Sequence, residues 1–179
     1  KNPFIDHQLD LNSKVFPKKF TNYFDIIIFN HSLHHSNNPI KTLINVKIML
    51  KKKGLVIINE PETSFFFKLF LFLFNHETWD DNIKRCNTKG FWFENNSTGK
   101  LLFSKKKKGD YFLNDYKVIE NKLSEFLIFL NSGGGGINAP YIKLNKFFLR
   151  IIDNLDNFLT RCFPNLFALS RKVILIKIK

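Results

Sequence analysis

Two short apolar runs with one helix between them constrain this chain more than any other feature. Phe24-Asp-Ile-Ile-Ile-Phe-Asn30 is rich in β-branched residues and bounded by polar ones. That is the pattern of a strand buried on both faces of a parallel sheet. Asn37-Asn38-Pro39 then opens a helix with proline in its first turn. Ile40, Leu43, Ile44, Val46 and Leu50 recur at near-helical spacing, which predicts one amphipathic helix over residues 39–51. Lys51-Lys52-Lys53-Gly54 ends it, with cations near the negative helix end and Gly54 suited to a left-handed cap. Leu55-Val-Ile-Ile-Asn59 reads as a second buried strand, closed by Glu60-Pro61. Strand, helix and strand with short joins make a βαβ unit, hence parallel strands and a right-handed crossover.

Beyond Pro61 the alternation is lost. Ser64 to Phe74 is apolar except for Lys68. It is well short of the roughly 20 residues a bilayer-spanning helix needs. It reads as a lid or core helix, with peripheral membrane contact as the alternative. Residues 76–110 read as an irregular insertion. Tyr111 to Asn121 offers a strand, and Ser124 to Asn131 a helix that stops at Gly133–Gly136. Pro140 to Phe163 holds one or two amphipathic helices. Lys172-Val-Ile-Leu-Ile-Lys-Ile178 is the last strand, its Lys and Ile alternating as an edge or near-edge strand would.

A chain of 179 residues suits one domain. Its net charge of +13 invites a nucleic-acid or anionic-membrane partner. Lys, Asn, Ile and Phe dominate, however, and all four have A/T-rich codons. The runs Lys51–Lys53 and Lys105–Lys108 fit turns, so the charge reads as compositional and no specific nucleic acid is expected. Cys86 and Cys162 lie far apart, without metal-ligand spacing, and suit a reducing, cytoplasmic setting. The chain opens at Lys1 without a secretory signal and reads as a partial sequence.

A family resemblance rests on three stretches. Gln8-Leu-Asp-Leu-Asn-Ser-Lys-Val-Phe-Pro17 comes first, then Tyr23-Phe-Asp-Ile-Ile-Ile-Phe-Asn-His-Ser-Leu-His-His35. Met49-Leu-Lys-Lys-Lys-Gly-Leu-Val-Ile-Ile-Asn-Glu-Pro61 follows the helix. Together they resemble the middle motifs of class I S-adenosylmethionine-dependent methyltransferases over residues 8–61. Lys53 stands where that family commonly has proline or glycine in the turn. Asn75-His-Glu-Thr-Trp79 and Asn131-Ser-Gly-Gly134 are similar to a subset with an elaborated substrate side.

The resemblance implies a partial doubly wound, Rossmann-like, mostly parallel α/β sheet with a helical insertion in the C-terminal half. Residues 1–61 would be the third to fifth strands of a cofactor-binding core. Residues 62–170 would form the substrate side with a possible core strand near 111–121, and 171–179 the last core strand. The family's glycine-rich loop would lie upstream of this C-terminal fragment. Gly133–Gly136 follows a helix rather than a strand and is not that loop. The implied cofactor is S-adenosylmethionine. Asp10 would accept from its adenine amino group and Leu11 would meet the ring, while Asn30 and His31 would lie beside its methionine part.

Methyl transfer needs aligned reactants and, for some acceptors, a base. His31 is the candidate base or substrate-orienting group, with turn packing as its alternative, and turn packing is the favoured role for His34 and His35. No metal is expected, because adjacent His34 and His35 do not readily face one ion and no acid completes the set. Glu60 would position substrate or cap the following helix, and His76, Glu77 and Trp79 would line the acceptor pocket, with Trp79 covering the insertion's own core as the alternative. The aromatic Phe91-Trp92-Phe93 reads as packing or a pocket cover. The expected activity is methyl transfer to a small-molecule, lipid-like or glycan acceptor. The alternative is a non-enzymatic basic module binding nucleic acid or an anionic membrane.

Overall fold

The computed structural model describes residues 9–13, 17–74, 77–83, 94–104, 113–131 and 142–179. A four-stranded mixed sheet carries helices on its faces and at one end. Its strands are β1 (Phe24–Asn30), β2 (Leu50–Pro61), β3 (Tyr116–Ser124) and β4 (Ser170–Lys177), in the order β1-β2-β4-β3. β1 and β2 pair in parallel from Ile26 with Leu55 to Asn30 with Asn59. β4 pairs antiparallel with both β2 and β3. β1, β2 and β3 therefore share one direction, and β4 alone opposes them.

The helix between the first two strands, α1 (Pro39–Met49), is shorter than its periodicity suggests. Asn38 caps it, its side chain accepting from Lys41 N–H at 2.9 Å, and Pro39 occupies the first turn. Ile40, Leu43 and Val46 are fully buried against the sheet. At the other end the chain is already extended at Leu50, and β2 begins there. Lys51–Gly54 bulges out of the ladder instead of capping the helix, since Phe24 pairs with Leu50 but Ile26 with Leu55. The left-handed residue is Lys53, at φ 64°, rather than Gly54. Gly54 is needed for another reason. A Cβ there would stand 2.9 Å from the Lys51 carbonyl oxygen and 3.1 Å from that of Asp25.

β1 also departs from expectation. It is the outer strand of the described sheet, and Ile26 and Ile28 face outward, exposed, while Phe29 is buried. β4 lies one place in from the opposite edge, which β3 occupies. Its Lys–Ile alternation has a specific cause, because the buried Lys177 ammonium closes the end of α1. It donates to the Leu50 and Lys47 carbonyls at 2.7 and 2.9 Å and to Asn22 Oδ1 at 3.1 Å. Burial is the first cause depressing its pKa, followed by the neighbouring Lys47 charge. β3 begins five residues later than the sequence indicates, at Tyr116, whose hydroxyl donates to the Leu43 carbonyl at 2.9 Å.

The remaining helices are α2 (Phe65–Phe74), α3 (Thr98–Phe103), α4 (Leu127–Asn131), α5 (Lys146–Cys162) and α6 (Pro164–Phe167). Phe67, Leu71, Phe129 and Leu169 form a second small core, with Trp79 packed against it. α5 turns its polar side inward. The buried Asp156 carboxylate accepts the N–H groups of Phe126, Leu127 and Ile128 at 3.0–3.1 Å, capping α4. Phe147, Phe148, Ile151, Leu155 and Phe158 point outward and are exposed. Among the described residues no helix is long and apolar enough to cross a membrane.

Candidate active site

The site grows from the carboxyl ends of β1 and β2, where loops leave a parallel pair. β1 ends at Asn30, which is exposed and faces Asn59 of β2, the two carboxamides 3.4 Å apart. His31 follows at φ 46°, a left-handed conformation uncommon for a residue with a Cβ. Its N–H is held by the Asn59 carbonyl at 2.8 Å, so the chain leaves the sheet abruptly. The next residues wind into a 3-10 turn, Leu33–His35.

Glu60 organises that turn. Its carboxylate accepts the N–H groups of Ser32 at 2.9 Å, Leu33 at 2.7 Å and His34 at 3.2 Å. The same group meets Nδ1 of His34 at 2.5 Å. The residue is 1% exposed. Glu60 is therefore enclosed, its carboxylate committed to protein donors, and it caps the turn after β1 rather than the helix after β2. An acid at a strand end is drawn to the nearest unpaired N–H groups, and here another loop supplies them.

The histidines divide by environment. Burial lowers the His31 pKa below its ordinary value, opposed by Glu60 and Glu77 and aided by His34, which favours the neutral ring. Its ring lies 5.8 Å from that of Phe129. His34 is buried, and desolvation alone would depress it too. Hydrogen bonds to Glu60 and Glu77 overcome that and push it up to about 9. Glu77 stands 3.4 Å from His34 Nε2, and that contact is the first cause drawing its pKa down to about 2. Asn96 Nδ2 also donates to Glu77 at 3.0 Å. His35 stacks at 4.1 Å on the His34 ring and reaches Glu77 at 3.7 Å. The two geometric premises set against a metal do not hold here. Adjacent histidines do converge on a tight turn, and Glu77 from a separate segment supplies the acid.

The sequence offers Glu77 as a lining residue of an acceptor pocket, not as a partner of the two histidines. Its position depends on Asp81, which accepts from Ser97 at 2.6 Å and Thr63 at 3.2 Å and pairs with Lys68 and Lys100. These bonds tie the segment to α2 and α3. No local pattern announces such a tie.

The turn at residues 9–13 sits beside the same rim. Asn12 donates to Ser36 Oγ at 3.1 Å, Lys41 donates to the Asn12 carbonyl, and Asn45 holds the Leu11 and Ser13 carbonyls at 2.7 and 3.1 Å. Asp10 is exposed, one carboxylate oxygen accepting Asn12 N–H at 2.8 Å. Leu11 is half-buried against the main core. The 9–13 turn thus meets the loop after β1 through Asn12 and Ser36. Trp79 is half-buried in the second core. His76, Phe91–Phe93 and Gly133–Gly136 lie outside the described residues.

The model of a methyltransferase domain matches residues 3–106. The chain belongs to that family. No curated protein matches it. Among solved structures, an S-adenosylmethionine-dependent methyltransferase from Archaeoglobus fulgidus aligns with a TM-score of 0.42 and 16% identity. That alignment covers 88% of this chain and 61% of the other. The YcgJ protein of Bacillus subtilis aligns at 0.40 and 16%, covering 94% and 69%. The [4+2]-cyclase SpnF aligns at 0.41 and 10%, covering 94% and 54%. The chain of this methyltransferase-family protein thus spans less than two thirds of the first of these.

Proposed function

We propose that this chain forms the acceptor side and part of the cofactor cleft of an S-adenosylmethionine-dependent methyltransferase. Family membership supports the reaction class. The observation that carries the local reading is His31, a half-buried imidazole directly after a parallel strand, with exposed Asn30 beside it. The residues present fit the cofactor's chemistry. Asp10 keeps an exposed carboxylate for an adenine amino group, while the Asn30 carboxamide suits an amino-acid moiety. When bound, the cofactor supplies a methyl group on a positive sulfonium. His31 then orients the acceptor and takes its proton at a ring nitrogen, which requires the neutral ring that burial favours.

The acceptor we favour is lipid-like. Support comes from α5, which turns six large apolar side chains to solvent, from the exposed Phe65, Phe72, Leu73 and Phe74 of α2, and from the positive net charge. The same features support peripheral membrane contact.

Titration calorimetry of the full-length protein with S-adenosylmethionine or its demethylated product tests the cofactor reading. One binding site, weakened by Asp10→Ala, is expected; absence of heat with either compound removes the proposal. For the acceptor, co-sedimentation with anionic vesicles should exceed that with neutral ones. Equal failure with both excludes a membrane-borne acceptor.

A further inference from the structure

We propose that His34, His35 and Glu77 bind one divalent transition-metal ion, with Glu60 orienting His34 from behind. One ring nitrogen from each histidine and a Glu77 carboxylate oxygen all lie within 4.8 Å of one another. Nε2 of His34 stands 3.4 Å from Glu77 Oε2, and Nε2 of His35 3.7 Å from Oε1. Donors sharing one ion at bonds of about 2.0–2.2 Å are separated by similar distances, so only small side-chain adjustments are required.

The surroundings are those that hold metal ligands in place. Glu60 engages Nδ1 of His34 at 2.5 Å, which fixes the ring and leaves Nε2 directed toward Glu77. A carboxylate behind a histidine in this way sets its tautomer and raises its basicity as a ligand. Glu60 is itself fixed by three backbone N–H groups, and Glu77 by Asn96 at 3.0 Å. An ion on Nε2 takes the place of the proton that lets His34 face two carboxylates, and its second positive charge is met by those same carboxylates. Two imidazoles and one carboxylate suit Zn²⁺, Co²⁺, Fe²⁺ or Mn²⁺ rather than Ca²⁺.

The His35 and Glu77 side chains are 43% and 24% exposed, so a cation can enter from solvent. Three protein ligands leave a coordination position for water or an oxygen-bearing molecule, as catalytic sites do and closed structural sites do not. The proposal stands on this geometry and is independent of methyl transfer.

The test is titration of the full chain with Co²⁺, followed by its visible absorption, in a Cys86→Ser, Cys162→Ser background that removes thiolate ligands. One ion per chain, displaced by Zn²⁺, is expected. His35→Ala and Glu77→Gln should each weaken binding at least tenfold with an unchanged far-ultraviolet circular dichroism spectrum. Glu60→Gln should weaken it by roughly tenfold or more through His34. Should Glu77→Gln fail to fold, the half-exposed His35 decides the matter. No saturable binding, or full-strength binding by His35→Ala, overturns the proposal and leaves an ion-pair cluster only.

Discussion

Glu60 satisfies three backbone donors and one imidazole with a single buried carboxylate. A neutral amide in its place turns an NH₂ group toward donors that need an acceptor. Glu60→Gln should therefore cost on the order of 3–5 kcal/mol in urea unfolding, the scale for breaking a buried ion pair. A loss below about 1 kcal/mol would show that the turn is held by other means. The same cluster sets a pH dependence. His34 is raised from 6.5 to about 9, so its contribution is complete below pH 6.5 and fades as pH rises through 9. Glu77 is lowered from 4.5 to about 2, so its contribution is complete above pH 4.5 and fades as pH falls through 2. The His34–Glu77 contact enters both shifts and is fully present between 4.5 and 6.5, while Glu60 raises His34 in addition. The stability advantage of the natural protein over His34→Gln should peak in that window and shrink toward pH 9. A flat difference across it would contradict the assignment.

At the level of elements, α1 and the bulge after it lock the βαβ unit. Leu43 is fully buried beneath the sheet and its carbonyl accepts from Tyr116. Leu43→Ala should cost about 2–5 kcal/mol, since the rigid sheet cannot collapse into the space. Gly54→Ala is a different kind of failure. The new Cβ would meet two backbone oxygens, at 2.9 Å and 3.1 Å, so a strand has to shift. A loss of about 1–3 kcal/mol is expected from that overpacking, measured by thermal unfolding. Periodicity read the existence of β1, α1, β2 and β4 correctly, because each carries its own apolar pattern. It placed both ends of β1 and the start of α1, and misjudged where α1 stops, where β2 begins and the ends of β4. Where α1 stops depends on Lys177, contributed from the far end of the chain, and on the Asp25 backbone crowding Gly54.

Across the whole molecule, α5 presents its apolar face to solvent and its polar face to the protein. Phe148→Ser with Phe158→Ser should leave the melting temperature nearly unchanged, because neither side chain is buried in the core. The pair should abolish vesicle binding; retained binding would separate membrane contact from this helix. The amino-acid sequence by itself determined the parallel strand pair, the crossover helix and the family, since these rest on local hydrophobic period and on motifs contiguous in the chain. Asp10, Leu11, Asn30 and His31 were legible as candidates for the same reason. Only the tertiary structure decided that Glu60 is enclosed, that Glu77 joins two histidines, and that α5 faces outward. Each depends on which segments meet in space, and the partners of a buried charge leave no periodic trace in the segment that carries it.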